Sequence, residues 1–217
     1  MMKKTALLFL LFTLFFQGVK AQSSTDSTIL NKEFFSIEEA LINPENVYRL
    51  NLSNQKIIFS DSIWSKFTNL QYLSLKNDHL TKIPDEIGNL KNLKVLDLSG
   101  NDFTVLPSTF SGLSNLQELY LNDEKNFQIE QNIDVLSTLP TLISLHLEND
   151  GIKKLPKNIV QLKNLQYLYL NNNQFKQVPI ELKGLQNLKL LDLHDNEFNL
   201  LDQLNQEDAG FGKKIRF

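Results

Sequence analysis

The sequence predicts an α/β solenoid: short parallel strands stacked into one continuous sheet, with turns returning the chain along the opposite side. Two observations carry this expectation. Val47, Leu70, Leu93, Leu116, Leu142, Leu165 and Leu188 each open a segment with apolar residues at its first, fourth and sixth positions, 23 residues apart except for one step of 26. The later two positions, from Leu50 and Leu52 through to Leu191 and Leu193, are leucine in all seven segments. Alternation of this kind sets both leucines on one side of a strand, and no single repeat can bury them without a neighbour.

In chain order, the first element is an address. Residues 1–21 read as a secretory signal, with Lys3 and Lys4 as the charged start, an eleven-residue apolar stretch at 6–16, and small residues Val19 and Ala21 before Gln22. Cleavage is expected after Ala21. An uncleaved anchor is the alternative, but eleven residues fall short of the roughly 20 that a spanning helix needs. The exported chain would keep 19 basic against 25 acidic side chains, which favours solubility. Residues 22–35 are read as a flexible leader, Ser/Thr-rich over 22–28.

Residues 36–46 are read as a helical N-terminal cap. Ser36 precedes Glu39 by three positions, a capping-box signal, and Ile37, Ala40 and Leu41 follow at helical spacing with Pro44 beyond. The seven repeats then run over 47–198. Ile83-Pro84, Leu106-Pro107, Leu155-Pro156 and Val178-Pro179 begin the second halves, where proline removes a backbone donor and favours a turn. Ile87 and Leu90, Phe110 and Leu113, Ile159 and Leu162, and Leu182 and Leu185 should close the core from outside. The first repeat departs, with Ser60 and Asp61 in place of the apolar-proline pair and Trp64 and Phe67 at the later core sites. The fourth carries three extra residues between Leu121 and Leu142, outside the strands, and a bulged outer loop is expected there rather than a broken sheet.

Over about residues 46–198 the chain resembles the leucine-rich repeat family, most clearly in LKVLDLSGNDFTVLPSTFSGLSN and LQYLYLNNNQFKQVPIELKGLQN. The residue before each opening site agrees too: Asn46, Asn69, Asn92, Asn115, Thr141, Asn164 and Asn187. The resemblance implies a right-handed horseshoe with the parallel sheet on its concave face, and it is closest in style to small exported bacterial members. The family favours asparagine at a later turn site, where its amide both donates to and accepts from adjacent backbone. This chain has Gln55, Asp78, Asn101, Glu124, Asp150, Asn173 and Asn196 there. An ionised acid cannot donate, so the ladder is expected to be weakest in repeats one, two, four and five, with wetter or rearranged turns.

Residues 199–217 are read as a C-terminal cap ending in an edge strand, since Ile215-Arg216-Phe217 repeats the alternation. Lys213, Lys214 and Arg216 would guard that edge against pairing with another molecule.

The side chains between the leucines should face the concave surface. They form a central row of Asn51, Ser74, Asp97, Tyr120, His146, Tyr169, Asp192 and Arg216. Beside it runs a row of Arg49, Tyr72, Val95, Glu118, Ser144, Tyr167, Leu190 and Lys214. On the other side lie Ser53, Lys76, Ser99, Asn122, Glu148, Asn171 and His194. All five tyrosines fall in strand segments, where ring area and a hydroxyl suit recognition. High β propensity is the competing explanation. The candidate partner-binding residues are therefore Tyr72, Asp97, Glu118, Tyr120, His146, Glu148, Tyr167, Tyr169, Asp192 and His194.

Composition removes other classes. With 22 Lys plus Arg against 25 Asp plus Glu and a formal charge of −3, the chain lacks the basic cluster a nucleic-acid binder needs. The absence of cysteine excludes disulfides, thiolate metal sites and a cysteine nucleophile. No phosphate loop, nucleophile elbow or zinc-protease helix is present, and His146 and His194 stand two strands apart, roughly 10 Å. No catalytic residues, metal or cofactor are expected. The reading is a monomeric, non-catalytic recognition protein, periplasmic or extracellular, with a protein or peptide partner, no nucleic acid and no stable membrane insertion after signal cleavage. An adhesion or envelope-scaffolding module assembling through its ends is the structural alternative, and a hydrolase of unknown type the third.

Overall fold

Leucine at every second position makes each strand one-sided, and the repeat length sets where the next strand arrives. The computed structural model describes residues 31–56, 63–198 and 214–217. The expected signal peptide, most of the leader, Ser60, Asp61 and residues 199–213 lie outside the described residues. Nine parallel strands appear among the described residues, in sequence order across one open sheet. They are β1 (Glu33–Phe34), β2 (Arg49–Asn51), β3 (Tyr72–Ser74), β4 (Val95–Asp97), β5 (Glu118–Tyr120), β6 (Ser144–His146), β7 (Tyr167–Tyr169), β8 (Leu190–Asp192) and β9 (Lys214–Arg216). The register stacks Leu50, Leu73, Leu96, Leu119, Leu145, Leu168, Leu191 and Ile215 in one line. The seven leucines of that line are fully buried, and so are Leu52, Leu75, Leu98, Leu121, Leu147, Leu170 and Leu193 behind them. This is the expected solenoid.

On the opposite side, Pro84, Pro107, Pro156 and Pro179 each precede a 3-10 turn: Asp85–Asn89, Ser108–Gly112, Lys157–Gln161 and Ile180–Gly184. Proline suits that place because its fixed φ lies close to the turn's entry geometry. Each turn buries one apolar residue against the sheet, Ile87, Phe110, Ile159 and Leu182 respectively. Trp64 and Phe67 are fully buried in the first repeat. The asparagines before the strands form a ladder of their own: Asn69, Asn92, Asn115, Asn164 and Asn187 each donate Nδ2 to a carbonyl 24 residues earlier, at 2.8–2.9 Å.

The fourth repeat corrects one expectation. Its extra residues form no bulged loop but an α-helix, α2 (Ile129–Ser137), while the sheet continues unbroken from β5 to β6. Ile129, Ile133 and Leu136 bury one helical face. Asn132, fully buried, ties the helix to the preceding repeat. Its Oδ1 accepts from Leu106 N at 2.7 Å, and its Nδ2 donates to Thr104 O at 3.0 Å and Gln128 O at 2.8 Å.

The turn ladder corrects another. Wetter turns at the acidic positions are not observed: Asp78 is 4% exposed and Glu124 fully buried. Both keep the acceptor half of the asparagine role. Asp78 Oδ1 accepts from Gln55 N at 2.7 Å, Glu124 Oε1 from Asn101 N at 2.8 Å, and Asp150 Oδ1 from Glu124 N at 2.8 Å. Only the donor half is missing, because Asn101, Asn173 and Asn196 alone add Nδ2 donation to strand-end carbonyls. The second oxygens of Asp78, Glu124 and Asp150 are buried without a hydrogen-bond partner. Gln55 alone is exposed, and its Nε2 donates instead to Phe35 O at 2.7 Å.

At the ends, helix α1 (Ile37–Ile42) starts at Ser36, whose Oγ accepts from Glu39 N at 3.3 Å. The Glu39 carboxylate turns away to Lys32, 3.0 Å, so only half of a capping box is made. Ala40 is buried, with Ile37 and Leu41 packed beside it. Glu33–Phe34, assigned above to the leader, pairs with β2 as an edge strand. At the other end β9 pairs with β8, and Phe217 meets Phe198 edge to face at 5.6 Å.

Candidate functional site: the concave sheet face

The strand register assembles the concave rows. Arg49, Tyr72, Val95, Glu118, Ser144, Tyr167, Leu190 and Lys214 are successive partners along the first. Asn51, Ser74, Asp97, Tyr120, His146, Tyr169, Asp192 and Arg216 are successive partners along the second.

Five of the ten candidate residues form one connected cluster. The His146 imidazole is sandwiched between two phenol rings, Tyr120 at 3.9 Å and Tyr169 at 4.2 Å between centroids, with planes 19° and 10° apart. Both ring nitrogens meet carboxylates: Nε2 lies 3.0 Å from Glu118 Oε1 and Nδ1 3.2 Å from Glu148 Oε1. The ring thus bridges the two carboxylates edge-on while its faces are covered by the two phenols. Tyr120 donates its hydroxyl to Glu118 Oε1 at 2.8 Å. Burial, and then that bond to an anionic acceptor, push the Tyr120 phenol far above its ordinary value. Burial followed by the Glu118 charge raises Tyr169 as well. Both phenols therefore stay neutral across the physiological range and offer hydroxyls.

The other candidates belong to separate groups. Tyr72 lies under the Arg49 guanidinium, 4.1 Å from its ring centroid, and Arg49 also pairs with Glu33 at 3.3 Å. Burial, then the Asp97 charge, raise the Tyr72 phenol. Asp97 accepts from Ser99 N at 3.0 Å and stands 3.5 Å from Ser74 Oγ. Asp192 is nearly enclosed: it accepts from His194 Nδ1 at 2.6 Å and faces Arg216 Nη1 at 3.4 Å. Tyr167 is half-buried beside a shallow groove with Glu118 and Tyr169. His146 and Asp192, at 8% and 3% exposure, are thus supports for the surface rather than contacts on it.

Two family models match the chain, one described as a leucine-rich repeat region over residues 51–144 and one as a leucine rich repeat over 140–198. The chain belongs to the leucine-rich repeat family. No curated protein matches it. Leucine-rich repeats are protein-interaction modules whose stacked strands create an extended concave surface, and this leucine-rich repeat protein presents three half-buried tyrosines in the middle of that surface, Tyr120, Tyr167 and Tyr169. Among the described residues no group of three or more His, Asp or Glu side chains is placed so that it could hold a metal ion, and none of the helices described is long and apolar enough to cross a membrane.

Sequence reasoning missed the residues that work between rows. Glu33, expected in the leader, anchors Arg49. Ser144, an ordinary member of its row by sequence, has its Oγ 3.2 Å from His146 Nε2 and lines the groove.

Proposed function

We infer that this is an exported, non-catalytic recognition protein that holds a protein or peptide partner on its concave face. The observation that supports this reading is the set of half-exposed tyrosines at the centre, two of which are fixed face-on against His146. Side chains already held in place lose little freedom on binding, and tyrosine combines ring area with a hydroxyl. Glu118 and Glu148 add charge complementarity at the rim. Export to the periplasm or the cell exterior follows from reading residues 1–21 as a signal.

The test is affinity capture from the native cell envelope with the unmutated chain and with Tyr167→Ala/Tyr169→Ala. The expected result is a partner retained by the first and lost by the second. Recovery of the same partners by both would overturn the concave-face reading. Export is tested separately by fractionation and mass spectrometry of the mature N-terminus, which should begin at Gln22.

A further inference from the structure

The first row of the concave face contains one arrangement twice. At one end Glu33, Arg49 and Tyr72 stand side by side on β1, β2 and β3. The Arg49 guanidinium is held between its neighbours, with Nη2 3.3 Å from Glu33 Oε1 and the guanidinium carbon 4.1 Å from the Tyr72 ring centroid. In the middle of the row Glu118, Ser144 and Tyr167 occupy the same three consecutive places on β5, β6 and β7. Acid and tyrosine keep their order; the arginine between them is replaced by serine.

The exchange leaves a notch. Strands lie about 4.8 Å apart, so the acid and tyrosine backbones stand roughly 10 Å from each other with only a hydroxymethyl group between. A groove opens there, bounded by Glu118, Tyr167 and Tyr169, with Val95 and Ile143 beside it. Glu118 is held firmly, since Tyr120 and His146 both bond its Oε1, yet a third of its side chain (33%) remains exposed. The surroundings favour a cation. On β4 to β7 and the residues just after them, the outward positions carry Asp97, Glu118 and Glu148, with His146 between the two glutamates, and no lysine or arginine.

The geometry points to this notch as a receptor for one guanidinium group, supplied by an arginine side chain of the partner. The inference rests on the concave-face reading above and adds the chemistry of the partner. Arginine fits better than lysine because a planar fork can meet a carboxylate and lie flat on an aromatic ring at the same time, as Arg49 does. The arginine stem would run along Val95 and Ile143.

The experiment titrates acetyl-Gly-Arg-Gly-amide into the isotopically labelled full chain and follows backbone amide signals. Saturable shifts at Glu118, Ser144 and Tyr167, with a dissociation constant of about 1 mM, are expected. The same peptide with citrulline, a neutral isostere of arginine, should bind at least about tenfold more weakly. Ser144→Arg, which would fill the notch from within, should abolish the shifts, and Glu118→Gln should weaken binding about tenfold. Equal binding of arginine and citrulline peptides overturns the proposal, as do shifts confined to other surfaces or no saturable shift. Equal binding of a lysine peptide overturns the guanidinium assignment. The peptide comparison requires no change to the protein, so a variant that fails to fold leaves the test intact. Partner loss in Tyr167→Ala/Tyr169→Ala, without arginine-peptide binding, would mean the concave face works by other chemistry.

Discussion

Tyr169 lies flat against His146, ring centroids 4.2 Å apart and planes within 10°, so adjacent strands β6 and β7 are joined through their side chains as well as their backbones. On the other face of the imidazole Tyr120 makes the same contact from β5. The sandwich ties three repeats together at the centre of the concave surface.

Removing the filling of this sandwich should loosen it. His146→Ala deletes both stacking contacts and removes the shared partner of Glu118, which keeps only Tyr120, and of Glu148. A loss of about 1–3 kcal/mol is expected from the deleted ring stacking and hydrogen bonds together. Urea unfolding measures it; an unchanged midpoint would show the sandwich to be incidental.

The acidic members of the turn ladder give the protein a pH dependence. Burial raises Glu124 to about 8 from an ordinary 4.5, and Asp150 to about 8 from 3.8, with the neighbouring charges of Asp97, Asp102 and Asp123 acting on the first and Glu124, Glu148 and Asp123 on the second. Burial raises Asp78 too. The folded chain therefore holds protons that the unfolded chain releases. Stability from these groups is full below about pH 4, falls as pH rises, and levels off above about pH 8. Thermal melts across that window should show the decline, and Glu124→Gln with Asp150→Asn should flatten it and raise the melting temperature at pH 8. A midpoint that rose with pH in the unmutated chain and was unaffected by the pair would contradict it.

Gly100 should not accept alanine without a loss of stability, because Asn77 would have to turn aside and alanine disfavours the backbone conformation. Its φ is +71°, and a Cβ there would stand 1.9 Å from Asn77 Oδ1. Gly100→Ala is expected to destabilise by about 1–3 kcal/mol, read by chemical denaturation.

Asn132→Ala should destabilise the central helix more than an exposed substitution on the same helix, such as Asp134→Ala. It removes the acceptor for Leu106 N and the donor to Thr104 O, both at the seam with the preceding repeat. About 2–3 kcal/mol is expected, with hydrogen exchange rising first at Leu106.

The sheet was legible because leucine spacing is a direct record of strand register: 23 residues per repeat bring Leu73 against Leu96. The concave rows followed from alternation alone. The fourth-repeat helix is also legible in principle, since Ile129, Ile133 and Leu136 have helical spacing, but an insertion of three residues is equally compatible with a loop. The post-strand turns carried an unread signal: Asn54, Asn77, Gly100, Asp123, Asn149, Asn172 and Asp195 all adopt positive φ, the conformation those residue types tolerate best. The Tyr–His–Tyr stack was only partly readable. Register places the three rings in line, but whether Glu118 and Glu148 turn toward His146 depends on side-chain rotamers that no spacing encodes. The burial of Glu124 is not what an ionised side chain would allow, but burial raises its carboxyl to about 8, and a protonated acid can occupy a dry turn.

The Glu33–Arg49–Tyr72 set has a consequence for how such a surface can change over evolutionary time. Exchanging a single first-row residue between serine and arginine converts an open receptor into a self-filled one without disturbing the leucine spine, because that position lies on the face of the sheet opposite the leucines. New ligand preferences can therefore arise one substitution at a time, each leaving the architecture that displays it untouched.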